Sequence, residues 1–285
     1  MDSSFGGDGT VTTRFAGSVD EADWAEDVAV QPDGRIVVVG THATYGSDDG
    51  RDFIAARYLP DGTLDQSFGD KGLLQLSVAS EQAVAVALQQ IGGVTKIVIV
   101  GELDDKEQVP EHPVLVVRLN PDGSLDTDHD ADPAVHFDHD GMAIVVFQEQ
   151  NSGTRAVAVD SQDRILIVGR TTWEWDDPTP ALIARLRPDG RPDRTFGTNG
   201  QAVIYPEGLA AGYEDIKVIR GADDADRFVL CGWAFDGVND LWVVSRLLTD
   251  GSVDPEFGDG DGHVTFPHAG PGRTRALRFG TGHRG

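Results

Sequence analysis

The feature that most constrains this chain is a phrase repeated five times. It reads MDSSFGGDG at the start, LDQSFGDKG at 64–72, RPDRTFGTNG at 191–200 and SVDPEFGDGDG at 252–262, with a stretched copy, LDTDHDADPAVHFDHDG, at 125–141. Aligned on Phe5, Phe68, Phe137, Phe196 and Phe257, the copies lie 63, 69, 59 and 61 residues apart. Two further phrases recur in step with it. One is YLPDG (58–62), LNPDG (119–123), LRPDG (186–190) and LLTDG (247–251). The other is RIVVVG (35–40), KIVIVG (96–101), RILIVG (164–169) and RFVLCG (227–232). A fixed period of this kind marks one supersecondary unit that buries its apolar faces only by stacking on its neighbours.

Each unit holds four short apolar runs, which in the first are EDVAV, RIVVVG, DFIAARYL and GLLQL. Runs of this length, rich in Val, Ile and Leu, suit buried strands, and the Asp-Gly pairs between them suit hairpin turns. No segment sustains a helical stripe. The expectation is an all-β chain, a β-propeller of four-stranded antiparallel blades, with about four complete blades plus an incomplete fifth unit. Its units are somewhat longer than the usual blade repeat of about 40–50 residues.

With strands lettered A to D from the centre, the first blade is 25–30, 35–41, 52–59 and 73–77, and the second 82–89, 95–102, 113–119 and 142–147. The third is 154–159, 164–170, 181–187 and 201–205, and the fourth 213–219, 226–233, 240–247 and 263–266. TVTTRF (10–15) reads as an orphan D strand and RTRALRF (273–279) as an orphan A strand. The chain thus reads as one repeat domain, 1–285, with units near 10–77, 78–147, 148–205 and 206–266 and a partial unit at 267–285. Strand edges left open at such a gap favour a homo-oligomer.

The three phrases together, [LV]D-x-[ST]-F-G-x-x-G, the PDG turn and A-V-x-x-x-DG-[RK]-I-x-V-x-G, resemble the delta-60 repeat family of bacterial proteins over nearly the whole chain. The copy at 125–141 departs by its insertion and the copy at 253–262 by one extra residue. The resemblance implies a propeller-like fold, a surface or extracellular setting and no particular reaction.

Composition narrows the partners. The formal net charge of −25 opposes binding to nucleic acid phosphates or anionic membranes. No run of 18 apolar residues is present to serve as a membrane helix. The chain carries no secretory signal, although Met1 stands where Leu64 and Leu125 stand in later copies. The acids are 37 Asp against 11 Glu, as in a loop-rich β protein or one adapted to salt or calcium. The single cysteine, Cys231, excludes an intrachain disulfide and takes the position of Val39, Val100 and Val168, so it reads as a small buried hydrophobe.

Several residues carry chemistry. Arg57, Arg118, Arg185 and Arg246 each stand four residues before the Asp of the PDG-type turn, within an apolar strand, and need a partner if buried. Asp65, Asp126, Asp193 and Asp254 recur in step and suit bidentate pairing. Phe68 and Phe196 read as plugs between blades, and the corner aspartates as caps for loop N–H groups. Asp126, Asp128, Asp130, Asp138 and Asp140 crowd the stretched copy, where alternate carboxylates resemble fragments of a calcium loop; a solvated acidic loop is the plainer alternative.

The repeated A–B and C–D connections fall on one face of a propeller and the B–C and D–A connections on the other. Only the second set varies. Its B–C loops hold Tyr45 and the cluster Trp173, Trp175, Asp176 and Asp177, suited to stacking on a sugar ring and accepting from its hydroxyls. The reading is a non-enzymatic scaffold that binds a protein or glycan partner through that face. Alternatives are a polysaccharide-acting hydrolase or lyase, which needs carboxylates or a metal converging on a central channel, and a purely architectural segment of a surface protein.

Overall fold

The computed structural model describes residues 2–15, 21–44, 51–77, 81–103, 113–127, 137, 140–147, 152–171 and 180–267. It is all-β: among the described residues, sixteen strands form four separate four-stranded antiparallel sheets. The chain divides into two compact units, 1–146 and 147–285, each holding two sheets.

In the first unit, one sheet is β1 (Glu21–Val30), β2 (Ile36–Thr44), β3 (Arg51–Tyr58) and β4 (Leu73–Leu76), and the other β5 (Glu81–Ile91), β6 (Val94–Leu103), β7 (Val114–Leu119) and β8 (Met142–Val145). In the second unit, one sheet is β9 (Ser152–Val159), β10 (Ile165–Thr171), β11 (Ala181–Leu186) and β12 (Gln201–Ile204). The other is β13 (Ala210–Arg220), β14 (Asp226–Phe235), β15 (Asp240–Leu247) and β16 (His263–Pro267). In every sheet the strands pair in chain order, the meander of a propeller blade.

The middle strands explain the apolar runs. β7 (VLVVRL) and β11 (ALIARL) are buried at all six positions, as their unbroken apolar runs require. The last strands, β8 and β12, bury alternate residues. In the first unit Val37, Val39, Phe53 and Ala55 of one sheet pack against Ala83, Val86, Ile97 and Ile99 of the next. In the second, Val168, Ile183 and Phe196 pack against Tyr213, Phe228, Leu230 and Val243.

The first strands run longer than their apolar runs suggest: β1 begins at Glu21 rather than 25 and β13 at Ala210 rather than 213. The extension comes from pairing beyond a bulge, described below. Residues 10–15 form no strand ladder; they lie as a strap held by Tyr58 Oη donating to Thr13 Oγ1 at 2.6 Å and by Phe15 N donating to Asp23 Oδ2 at 3.0 Å. Residues 273–279 lie outside the described residues.

Two of the repeated phrases, and the arginine just before the third, meet at one aspartate in each described sheet. Nε of Arg57, Arg118, Arg185 and Arg246 donates to Oδ2 of Asp65, Asp126, Asp193 and Asp254 at 2.9, 2.6, 2.8 and 2.7 Å. The bond uses one carboxylate oxygen rather than a bidentate fork. In three sheets Oδ1 caps the corner: it accepts from Ser67 N, Thr195 N and Glu256 N at 3.0 Å each. A second cation reaches every aspartate, and it is the basic residue that opens the RIVVVG-type phrase. Arg35 and Lys96 stand at 3.1 and 2.8 Å, Arg164 and Arg227 at 3.5 and 3.3 Å.

The guanidinium also lies over the corner phenylalanine. Arg57, Arg118, Arg185 and Arg246 sit 4.8, 4.8, 4.6 and 5.0 Å from the ring centroids of Phe68, Phe137, Phe196 and Phe257. The corner then clasps the next sheet. Gly69 N donates to Asp122 O at 2.8 Å, Arg57 Nη1 donates to Pro121 O, and Phe68 lies against Gly123, whose φ of 87° and contact with the ring leave no room for a side chain. In the second unit Gly197 N donates to Asp250 O at 2.7 Å, Arg185 Nη1 to Thr249 O, and Phe196 lies against Gly251.

Two expected outcomes follow from this junction. Arg185 is 1% exposed. Arg185→Leu removes one of the two cations on Asp193 and should cost about 3 kcal/mol in urea unfolding, whereas Arg187→Leu, at an exposed pair, should stay within about 0.5 kcal/mol. An unchanged midpoint for Arg185→Leu would refute the junction's energetic role. The second outcome concerns pH. Burial opposes ionisation of Asp65 and Asp193, but hydrogen bonds from Ser67 and Thr195 and the flanking arginines outweigh it and hold both carboxyls below their usual value. Their stabilisation is therefore present above the unfolded value of about 4 and is lost as pH falls through the lower folded value. The deficit of Arg185→Leu relative to wild type should shrink in the same acid range, since a protonated Asp193 needs no cation.

Candidate functional site

Tyr45, Trp173, Trp175, Asp176 and Asp177 lie outside the described residues, as do Asp128, Asp130 and Asp138. Of the acidic corner, Asp126 is 2% exposed and its two oxygens are taken by Lys96 and Arg118. Asp140 Oδ1 accepts from Met142 N at 3.0 Å on the surface, as a turn cap. One B–C loop is described. Between Phe235 and Asp240, Asp236 Oδ1 accepts from Val238 N and Asn239 N at 2.8 and 2.6 Å, and Val238 is 82% exposed at its tip. Asp236 is held below the usual carboxylate range by those bonds.

The first strand of every sheet carries a β-bulge that the sequence reading did not foresee. Pairing shifts between Ala25 and Asp27, Ala83 and Ala85, and Tyr213 and Asp215, and on β9 between Thr154 and Ala156. The glycine closing each RIVVVG-type phrase faces the bulge. In three sheets a methyl group on Gly40, Gly101 or Gly232 would run into the carbonyl of Trp24, Gln82 or Gly212. The invariant glycine was therefore the available signal. The extra residues are Glu26, Val84, Arg155 and Glu214, and a bulge re-aims its residue out of the strand alternation. Glu26 is exposed. Arg155 Nε stands 3.9 Å from Glu214 Oε2. The neighbours Asp27 and Asp215 accept from backbone, Asp27 from Val86 N at 3.0 Å and Asp215 from Ile216 N at 2.8 Å.

Two groups with catalytic chemistry are sealed. Tyr213 Oη bonds to Ser245 Oγ, which lies 2.7 Å from His263 Nδ1. A Ser–His pair at that distance has the geometry of an activated nucleophile. Ser245 is 0% exposed, however, and burial pushes the Tyr213 hydroxyl up and the His263 ring down, toward the neutral forms. The chain ties blade strands together. It was legible only as departures from the repeat: Ser245 replaces Ala56, and His263 replaces Leu73. Cys231 is 3% exposed, and burial with the nearby Asp215 and Glu214 charges pushes its thiol up to about 12. That thiol is a poor nucleophile at neutral pH.

In the first unit the strap over β1–β3 roofs a cavity of about 410 Å3. Its walls are mostly apolar, among them Phe5, Val11, Val38, Ile54 and Tyr58. At its rim Asp23 Oδ1 lies 2.8 Å from Nδ1 of the buried His42.

Comparison with known proteins agrees with the architecture. No curated protein matches the chain. Among solved structures it is similar to an exo-1,5-alpha-L-arabinanase from a bovine ruminal metagenomic library, at 12% identity and a TM-score of 0.35, over 87% of this chain and 79% of that one. A likeness that weak bears on neither activity nor substrate. Residues 31–68, 96–128 and 163–196 match the family described as "Domain of unknown function (DUF5122) beta-propeller". The matched segments run through the two middle strands of the first three sheets to the corner aspartate, so the chain is similar to that family in the part of the blade that builds the junction.

Proposed function

We propose that the chain is a non-enzymatic β-propeller scaffold that binds a protein or glycan partner through the face carrying its B–C and D–A loops. One observation carries the reading: the repeated corners are spent on the molecule itself. In both units arginine, aspartate, phenylalanine and glycine of the corner are engaged with their own sheet or the next one. Residues so engaged cannot vary to suit a partner, whereas the B–C loops differ in length and composition from sheet to sheet. Trp173 and Trp175 beside Asp176 and Asp177 supply aromatic faces for the apolar side of a sugar ring and carboxylates for its hydroxyls; Tyr45 offers the same chemistry in the first sheet's loop. A calcium ion held by Asp128, Asp130 and Asp138 would belong to the same loop chemistry, with Asp126 left to its two cations, and an extracellular surface is the setting that fits it.

A second reading rests on the bulges. Glu26 with Asp27 and Glu214 with Asp215 place paired carboxylates on first strands, where a glycan-cleaving enzyme requires an acid and a base or nucleophile. Glu214→Gln would then abolish hydrolysis without loosening the fold.

The leading reading is tested by affinity electrophoresis of the full chain in gels containing arabinoxylan, mixed-linkage β-glucan or dextran. Wild type should be retarded in at least one gel. Trp173→Ala with Trp175→Ala should keep its melting midpoint and lose about 30-fold in affinity, the effect of removing an aromatic anchor of about 2 kcal/mol. Unfolding of that double variant, or equal retardation of both proteins, would sink the Trp patch as the recognition surface.

A further inference from the structure

The corners at Phe5, Phe68 and Phe196 are each seated on a turn, whereas among the described residues the corner of the fourth sheet, at Phe257, is not. Phe5 and Gly6 hold the 60–62 turn, Phe68 and Gly69 the 121–123 turn, and Phe196 and Gly197 the 249–251 turn. The fourth corner has the same parts: Arg246 on Asp254, Phe257 under the guanidinium, and Gly258 with φ 66°, close to the 52° of Gly69 and 50° of Gly197. Among the described residues no turn carbonyl accepts from Gly258 N or from Arg246. The Arg246 side chain is 25% exposed, against 2%, 0% and 1% for Arg57, Arg118 and Arg185. Among the described residues it is a preformed clasp without a turn.

The turn at 60–62 is clasped differently. It is held by the strap at 2–15 through Phe5 and Gly6, with no described sheet behind them and, among the described residues, no arginine donating to the Pro60 carbonyl. The strap covers its face poorly. The cavity of about 410 Å3 lies beneath it. Val28 and Val30, paired with Val38 and Ile36 on that face, stand 55% and 64% exposed. In the fourth sheet the corresponding face is covered by the third: Ile216 is 2% exposed and Phe228 and Leu247 are 0%. The face of β1–β3 thus has the shape and apolarity of one that packs against a whole blade.

We propose that the fourth corner of one copy takes the 60–62 turn of a second copy, displacing that copy's strap, so that the chain associates head to tail. Arg246 donates to the partner turn's Pro60 carbonyl as Arg57 does to Pro121, Gly258 N to the Asp61 carbonyl, and Phe257 lies on Gly62. The interface is heterologous, so it propagates into a ring or a chain rather than stopping at a symmetric pair.

Sedimentation velocity of the full chain across a micromolar concentration series tests this. Wild type should show concentration-dependent association. Phe5→Ala, which loosens the strap, should tighten it about tenfold. Arg246→Glu should abolish it in both backgrounds, and Phe257→Ala, which leaves the Arg246–Asp254 pair in place, should do the same if Arg246→Glu fails to fold. The proposal is overturned if wild type and Phe5→Ala stay monomeric throughout, or if association persists unchanged in folded Arg246→Glu or Phe257→Ala.

Discussion

Every sheet of this protein depends on a buried carboxylate that holds two cations. Asp65, Asp126, Asp193 and Asp254 each receive the arginine of the third strand and the basic residue that opens the second. A guanidinium buried without a partner is costly, and so is a lone carboxylate. Together they fix the corner's place relative to two strands of the same sheet. The surplus donors of the arginine are aimed outward, where in the first and third sheets they find the carbonyl of the next sheet's turn. One polar junction therefore does two jobs, folding the corner and joining neighbouring sheets. That is why the phrases recur in step: two of them, with the arginine before the third, build the site, and the third is the turn that a preceding corner clasps.

The junction also orders what surrounds it. Because it fixes the corner, the phenylalanine ring has one place to go, beneath the guanidinium and against the glycine of the adjoining turn. At the other side of each sheet, the glycine that closes the second strand admits the carbonyl of a bulged first strand. The bulge leaves one residue per sheet free of the pleat, and the chain uses that freedom differently each time: Glu26, Val84, Arg155, Glu214. Constraint at the corner and variation at the bulge and the B–C loops divide the molecule into a part that holds and parts that differ from sheet to sheet.

The fold was legible because its signals are local and repeated. Apolar runs of strand length separated by Asp-Gly turns place the middle strands within a residue or two, apart from the end of β2, and in-step recurrence marks Arg57, Arg118 and Arg185 as buried despite their charge, while Arg246 keeps the same partner but is partly exposed. Pairing beyond a bulge is not written in hydrophobicity, so the first strands were read too short. Residues 10–15 read as a strand in sequence, yet among the described residues they pair in no ladder and lie as a strap. The Tyr213–Ser245–His263 chain was missed because its members are far apart in sequence and ordinary one by one.

The sequence by itself determined the repeat, the all-β class, the number of described four-stranded sheets and the identity of the residues spent on holding them. It could do so because those residues answer to backbone geometry and burial, which each unit imposes alike. Only the tertiary structure decided that Arg35, Lys96, Arg164 and Arg227 share the aspartate, that in three sheets the carboxylate is split between its cations and a cap, and that among the described residues one corner stands without a turn. Those outcomes depend on which side chains reach the same point from strands dozens of residues apart, and on whether a neighbouring sheet is there to be held. Spacing along a chain does not carry that information; distance in space does.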